Sequence, residues 1–146
     1  MTNKKYQIDD SLGYKLFHAS RLMCARLNQN FKQNDFPVTY EQWQILSRLY
    51  EENGQTQNQL AILNERDQPS ISRLIDNMMK RSLVKRGSHP HDRRINLVYL
   101  TEESIQIQHE LESLAFKTIL QASDGIDEKE METCLRVLDQ VRENLK

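Results

Sequence analysis

The chain has 146 residues, of which 38% are hydrophobic and 28% charged, with two cysteines and a formal net charge of −1. That length suits a single domain, the lean apolar content implies surface completed by a partner, and no run of about 18 apolar residues is present for a membrane span. Cys24 and Cys134 have neither the number nor the spacing of a disulfide framework or zinc site and read as reduced structural thiols, and the polar opening residues lack the apolar core of a secretion signal, so a cytoplasmic protein is expected.

Residues 1–9 are polar, and a frayed start is expected. From Asp10 or Ser11 to about Asn34, Leu12, Leu16, Ala19, Met23 and Leu27 recur at spacings of three and four, flanked by Phe17, Cys24 and Phe31. This describes one long helix whose apolar face is broader than a single neighbour needs. Asp35-Phe36-Pro37 ends it, because a residue before proline is pushed out of the helical region. Thr39-x-x-Gln42 has the form of a capping box and opens a second helix with the stripe Trp43, Leu46, Leu49 and Tyr50, stopped at Asn53-Gly54. Thr56-x-x-Gln59 repeats the box before a short third helix with Leu60, Ala61 and Leu63 inward. After the Asn64-Glu65-Arg66 turn, Asp67 caps a fourth helix that tolerates Pro69 in its first turn. Ile71, Leu74, Ile75 and Met78 form its core stripe, which leaves Gln68, Ser70, Arg73 and Asn77 outward.

Leu83 to Arg86 and Ile95 to Tyr99 read as the two strands of a hairpin with a long cationic tip and almost no apolar face. Thr101 caps another long helix running to about Ser123, with Ile107, Leu111 and Leu114 on one face and Asp124-Gly125 at its end. Asp127-x-x-Glu130 opens a last helix striped by Met131, Cys134, Leu135, Leu138, Val141 and Leu145. No internal repeat or low-complexity segment interrupts the pattern.

Charge is unevenly distributed along these elements. Between Arg66 and Arg94 stand eight basic residues against three acidic ones, a local charge of +5, which leaves −6 on the rest of the chain. A cationic module on an acidic body is the electrostatic footprint of a phosphate-backbone binder. A short helix, a turn and a second helix with small polar residues at its start form a helix-turn-helix, whose second helix enters the major groove, where every base pair shows a distinct donor and acceptor pattern. Gln68, Ser70 and Arg73 are suited to reading that pattern; solvated polar residues on an ordinary amphipathic helix are the plainer alternative. At the hairpin tip Arg93 and Arg94 repel each other and gain nothing by burial, so an anionic partner or solvation accounts for them. Asp92 beside them has a place on a phosphate-facing surface if it directs a guanidinium, and an arginine on a projecting wing suits a narrow minor groove.

The runs Gln59-Leu60-Ala61, Ser70-Ile71-Ser72-Arg73-Leu74-Ile75-Asp76, Leu83-Val84-Lys85-Arg86, Asp92-Arg93-Arg94 and Leu100-Thr101-Glu102 resemble, in order and spacing, the winged helix-turn-helix core of MarR-type (multiple antibiotic resistance regulator) transcription factors. The flanking helices fit as well, so the resemblance covers nearly the whole chain. It implies a mainly α protein with a small β-hairpin wing, one domain over residues 1–146, in which 10–34 and 102–146 supply dimerisation helices and 39–100 the DNA-binding module. It further implies a homodimer that reads a pseudo-palindromic operator in double-stranded DNA as a repressor, with the small-molecule effector pocket that many relatives have between the dimer helices and the winged module. The DNA-facing set is then expected to be Thr56, Gln57, Arg66, Gln68, Ser70, Ser72 and Arg73 from the helices and Asp92, Arg93 and Arg94 from the wing.

For the effector pocket, Phe17, His18, Arg21 and Trp43 are the candidates, while His18 and Arg21 read equally as solvated or acid-paired residues on a helix face. Ser82 stands where the family usually has glycine before the first wing strand. Gly13 occupies the reactive-cysteine position of the organic-hydroperoxide-sensing branch, so peroxide sensing by that route is not expected. A redox regulator acting through Cys24, and a winged-helix module binding an acidic protein instead of DNA, are the competing readings. No nucleophile and base pairing, phosphate-cradling loop or metal-ligand cluster appears, and His89 with His91 lacks a third ligand. Neither enzyme activity nor a cofactor or metal is expected.

Overall fold

The computed structural model describes residues 5–146. The expectation of a frayed start therefore falls partly on residues 1–4, outside the described residues. A 3-10 turn at Ile8–Asp10 leads into α1 (Leu12–Gln33), followed by α2 (Tyr40–Glu51), β1 (Gln55–Thr56), α3 (Gln57–Leu63) and α4 (Gln68–Lys80). The chain continues through β2 (Val84–Ser88), β3 (Asn96–Leu100), α5 (Glu102–Gln106), α6 (Gln108–Ser123) and α7 (Glu128–Leu145). The architecture is mainly α with a small antiparallel sheet, as the sequence led us to expect.

Helix starts follow the local chemistry of their caps. Both predicted capping boxes form reciprocally, Thr39 with Gln42 and Thr56 with Gln59, and Asp67 accepts the Ser70 amide at the start of α4. Helix ends show a device the sequence conceals. After α1, α3 and α4 the chain passes through the left-handed region at Asp35 (φ 63), Glu65 (φ 51) and Ser82 (φ 60). Each helix closes with the same paired bonds: Phe36 N–H to Phe31 O with Asp35 N–H to Lys32 O, Arg66 to Ala61 with Glu65 to Ile62, and Leu83 to Met78 with Ser82 to Met79. These are Schellman closures, made here without glycine. The end of α1 is thus set at Asp35 itself, ahead of the restriction that Pro37 places on Phe36.

The core gathers under the winged module. Phe31, Leu46, Leu60, Ile75, Met78 and Leu111, drawn from five helices, are fully shielded, each worth about 1.5–3 kcal/mol of burial. The α4 stripe is buried as predicted. On α2, Leu46 and Leu49 are inside, but Gln42 and Ile45 share that face, whereas Trp43 and Tyr50 are only half-buried. Between α1 and α6 lies a buried polar link, with Asn30 Nδ2 donating to Thr118 Oγ1 at 2.8 Å and Gln121 Oε1 at 3.0 Å.

Three features differ from the sequence expectation. The wing is a three-stranded sheet in the order β1-β3-β2, with Gln55 opposite Val98 and Thr56 opposite Leu97. Two residues are too short to show strand alternation, and Thr56 already reads as a helix cap. Second, the base of the hairpin is apolar and buried through Leu83, Val84, Leu97, Val98 and Leu100, so only its tip matches the picture of a face with nothing to bury. Third, the long helix after Thr101 is interrupted at Ile107, which has φ −95 and ψ 4 and separates α5 from α6. There α5 is pinned to the wing: Ser104 Oγ donates to Leu83 O at 2.6 Å, and the Tyr50 hydroxyl donates to the Ser104 carbonyl, the acceptor that an unbroken helix offers to residue 108. Burial pushes the Tyr50 phenol well above its ordinary pKa, and the Glu112 charge adds to the shift, so it remains a donor.

The flanking helices carry the predicted apolar stripes, and this chain covers them only in part: Leu27, Phe31 and Leu111 are buried, while other apolar side chains of α1, α6 and α7 lie open. Leu12, Phe17, Met23, Phe116, Leu120 and Leu145 are all exposed, and α7 buries no residue. No helix among the described residues is long and apolar enough to cross a membrane.

Candidate nucleic-acid interface

Recognition chemistry on α4 follows from which face is buried. With Ile71, Leu74, Ile75 and Met78 inward, Gln68, Arg73, Asp76 and Asn77 are exposed, and Ser70 and Ser72 are half-buried beside them. The N-terminus of the helix is fixed twice. Asp67 Oδ1 accepts the Ser70 amide at 2.7 Å, a bond that holds the Asp67 carboxyl below its ordinary pKa, with Arg73 and Arg66 contributing less. Gln68 Nε2 donates to Asn58 Oδ1 of α3 at 2.6 Å, locking the two helices at the turn.

The eight cations of the basic segment divide into two groups. Arg66 pairs with Glu41 at 3.2 Å, Arg81 donates to Pro37 O at 2.9 Å, Arg86 pairs with Asp76 at 3.2 Å, and Arg94 pairs with Asp92. Arg73, Lys80, Lys85 and Arg93 have no hydrogen-bond or ion-pair partner among the described residues, and all four are exposed. Arg73 and Lys80 stand on α4, Lys85 on the first wing strand and Arg93 at the wing tip.

At the tip, Asp92 Oδ1 accepts the Arg94 amide at 3.0 Å and Arg94 Nε at 3.2 Å, while Oδ2 faces Nη2 at 3.4 Å. The amide bond, reinforced by the side-chain bond, holds the Asp92 carboxyl below its usual range. Asp92 therefore directs Arg94, whose side chain is still 91% exposed, and leaves Arg93 unpaired. At the wing base the Tyr99 ring passes between two glycines. A Cβ on Gly54 would stand 2.7 Å from Tyr99 Cε1, and one on Gly87 would stand 2.9 Å from Cε2.

Of the remaining predicted site residues, Thr56 and Gln57 sit at the start of α3, where Thr56 is committed to its cap and Gln57 Oε1 accepts Arg86 Nη2 at 3.0 Å. Arg66 lies on the turn, half-buried and held by Glu41. The predicted pocket residues do not converge. Trp43 lines a largely apolar cavity of about 340 Å³ with Met23, Cys24, Tyr40, Ala115 and Ile119. Phe17, His18 and Arg21 lie outside its lining on α1, where the His18 ring packs between Tyr14 and Phe17. Cys24 is half-buried and Cys134 exposed on α7, so the second thiol is not in this chain's core. Among the described residues no three His, Cys, Asp or Glu side chains converge as a metal site. Sequence reading overlooked Lys85 as a free cation and Arg86 as an engaged one. Their order alone gives no sign of which of two neighbouring strand residues turns towards α4.

Residues 38–95 match the family model described as MarR family. Over that segment the chain is similar to the MarR family. A probable transcriptional regulator from Pseudomonas aeruginosa is 28% identical, with a TM-score of 0.83 over 92% of this chain and 99% of that one. Bordetella bronchiseptica BpsR, whose DNA binding is regulated by 6-hydroxynicotinic acid, is 21% identical with a TM-score of 0.84 over 95% and 98%. A mutant MarR from E. coli complexed with operator DNA is 21% identical with a TM-score of 0.81 over 89% and 92%. The last two show a shared fold. The matched MarR-family segment runs from the loop before α2 to the end of the wing tip and so contains the helix-turn-helix and all four unpaired cations.

Proposed function

We propose that this protein is a sequence-specific double-stranded DNA-binding transcriptional regulator, a repressor that binds a pseudo-palindromic operator as a homodimer in the cytoplasm and is released by a small-molecule effector. The observation that carries the reading is the division of the basic segment. Its unpaired cations sit on α4 and the wing, beside exposed Gln68 and half-buried Ser70 and Ser72, so charge for phosphates and polar groups for base edges share one surface. An acidic protein partner would need the charge alone. In this reading Gln68, Ser70, Ser72 and Arg73 face the major groove, with Thr56 and Arg66 at its rim. Arg93 enters the minor groove, and Asp92 with Arg94 shapes the tip. Residues 39–100 act as the reading module, and residues 10–34 and 102–146 as the dimerisation helices. The uncovered stripes of α1, α6 and α7 support a second copy as their cover. The cavity beside Trp43 suits a small, mostly apolar effector, in keeping with the regulated DNA binding of BpsR. Gel shifts with duplexes selected by the protein from a random pool, against unselected duplexes at several salt concentrations, test the reading. Salt-dependent, sequence-selective retention is expected; no retention at low salt, or equal retention of both, overturns it.

A further inference from the structure

The arginine one residue before the narrow pass between Gly87 and Tyr99 is the point where three elements of the reading module meet. Arg86, on β2, directs Nη1 to Asp76 Oδ1 of α4 at 3.2 Å and Nη2 to Gln57 Oε1 at the first position of α3 at 3.0 Å. The planar guanidinium is suited to this, since its donors diverge in a fixed fork while a lysine offers a point charge. The bond to Gln57 also accounts for a residue that the sequence places on the DNA side. Its carboxamide oxygen is occupied within the protein.

We infer that Arg86 is a positioning residue, a strut that sets the wing's angle to the recognition helix and so delivers Arg93, with Asp76 and Gln57 as its anchors and no phosphate of its own. The inference rests on the DNA-binding reading above and deepens it. Its logic is geometric. Among the described residues no side chain from Ser88 to Asn96 bonds to a helix, so the last polar link between wing and α4 lies at Arg86. Beyond that link the direction of the tip follows from the strand pair alone, and a small rotation at the base is amplified along the hairpin.

Asp76 makes the idea testable, because the two roles of Arg86 predict opposite signs. If Arg86 held a phosphate, Asp76 would only offset its charge, and Asp76→Ala would tighten binding. If Arg86 is a strut, Asp76→Ala and Arg86→Ala weaken binding together.

The experiment uses the full chain and a fluorescent duplex selected by the unaltered protein, titrated across a salt series. Arg86→Ala and Asp76→Ala are each expected to lower affinity by roughly fivefold, the scale of a partly exposed ion pair and a hydrogen bond lost from the bound arrangement. The double variant is expected to be no weaker than either single one, the slope of log affinity against log salt to be unchanged, and Arg86→Lys to fail to restore affinity. In an Arg93→Ala background Arg86→Ala is expected to have no further effect, which a general loss of stability would not produce. A slope reduced by about 1 in Arg86→Ala, with tighter binding by Asp76→Ala, overturns the inference. Amide hydrogen exchange on the DNA-free protein separates this inference from the reading beneath it. Arg86→Ala is expected to speed exchange in β2, β3 and the first turn of α3 while leaving α6 unchanged. Unaltered wing exchange overturns the strut even if duplexes bind; altered exchange without any duplex binding sustains the strut and removes the DNA reading.

Discussion

Among the residues, Arg73 and Asp92 separate charge from geometry most cleanly. Arg73 stands unpaired on the outer face of α4, and Arg73→Ala is expected to cost about 1–3 kcal/mol per half-site if it grips a base edge. Competition with single-base operator variants checks this: preference should relax at one position, whereas equal losses on operator and random DNA would make Arg73 a phosphate clamp. Asp92→Ala removes a negative charge from the proposed DNA surface and is nevertheless expected to weaken binding, since the tip turn and the Arg94 guanidinium both hang on that carboxylate. Tighter binding at every salt concentration would sink the orienting role.

The pH dependence has a defined sign. The folded Asp92 pKa is depressed, so its contribution is fully present above the unfolded carboxylate range near ~3.9 and is lost as pH falls through the folded value. Binding measured from pH 5 to 8 should therefore show no inflection due to Asp92. The sequence already marked this Asp-Arg-Arg tip and the outward Arg73. It did not reveal which arginine Asp92 holds, because that depends on the turn of the backbone at the tip.

The elements owe their boundaries to bonds that cross between them. Capping boxes were legible because both partners lie within four residues. The Schellman ends at Asp35 and Glu65 were not, because neither is glycine and their left-handed φ values arise from the closure itself, whereas Ser82 was marked by standing at the family's glycine position. Ser82 follows α4 at φ 60, a conformation that costs a side-chain-bearing residue roughly 1–2 kcal/mol. Ser82→Gly is expected to raise stability by up to about 1 kcal/mol after the greater freedom of glycine in the unfolded chain is deducted; a lower denaturation midpoint would contradict this. Strand β1 and the break at Ile107 were hidden for a similar reason. Gln55 reads as a polar loop residue, yet its buried carboxamide donates to the Arg48 and Glu52 carbonyls at the end of α2. The α5 break lies beside a carbonyl taken by Tyr50, which is 54 residues away in the chain. Gly87→Ala is expected to displace the Tyr99 ring, given the 2.9 Å approach, and to show as a changed tyrosine signal in near-ultraviolet circular dichroism together with weaker duplex binding. An unchanged spectrum and affinity would mean that the ring yields freely.

At the level of the whole molecule, one chain completes the winged module and leaves its flanking helices unfinished. Leu135 is 56% exposed and Leu145 81% exposed, on a helix that, among the described residues, is tied to the rest of the chain by side-chain bonding through the Arg142 to Glu65 pair. A second copy covering these stripes would bury both. Leu135→Asp or Leu138→Asp is accordingly expected to disrupt assembly and folding together, because a charge buried without a partner is heavily penalised. Sedimentation that found a well-folded, DNA-binding monomer would remove the dimer from the account. The wide stripe on α1 was visible as helical spacing in the sequence. Its exposure was not, since periodicity shows that a face is apolar without showing what covers it.

In the proposed function the exposed face of α4 and the wing together read duplex DNA. The most direct measurement is the affinity for a selected duplex and for random duplex across one salt series. Both affinities are expected to fall linearly on logarithmic axes as salt rises, with the selected duplex bound at least about a thousandfold tighter. Equal affinity for the two duplexes, or binding indifferent to salt, would contradict it.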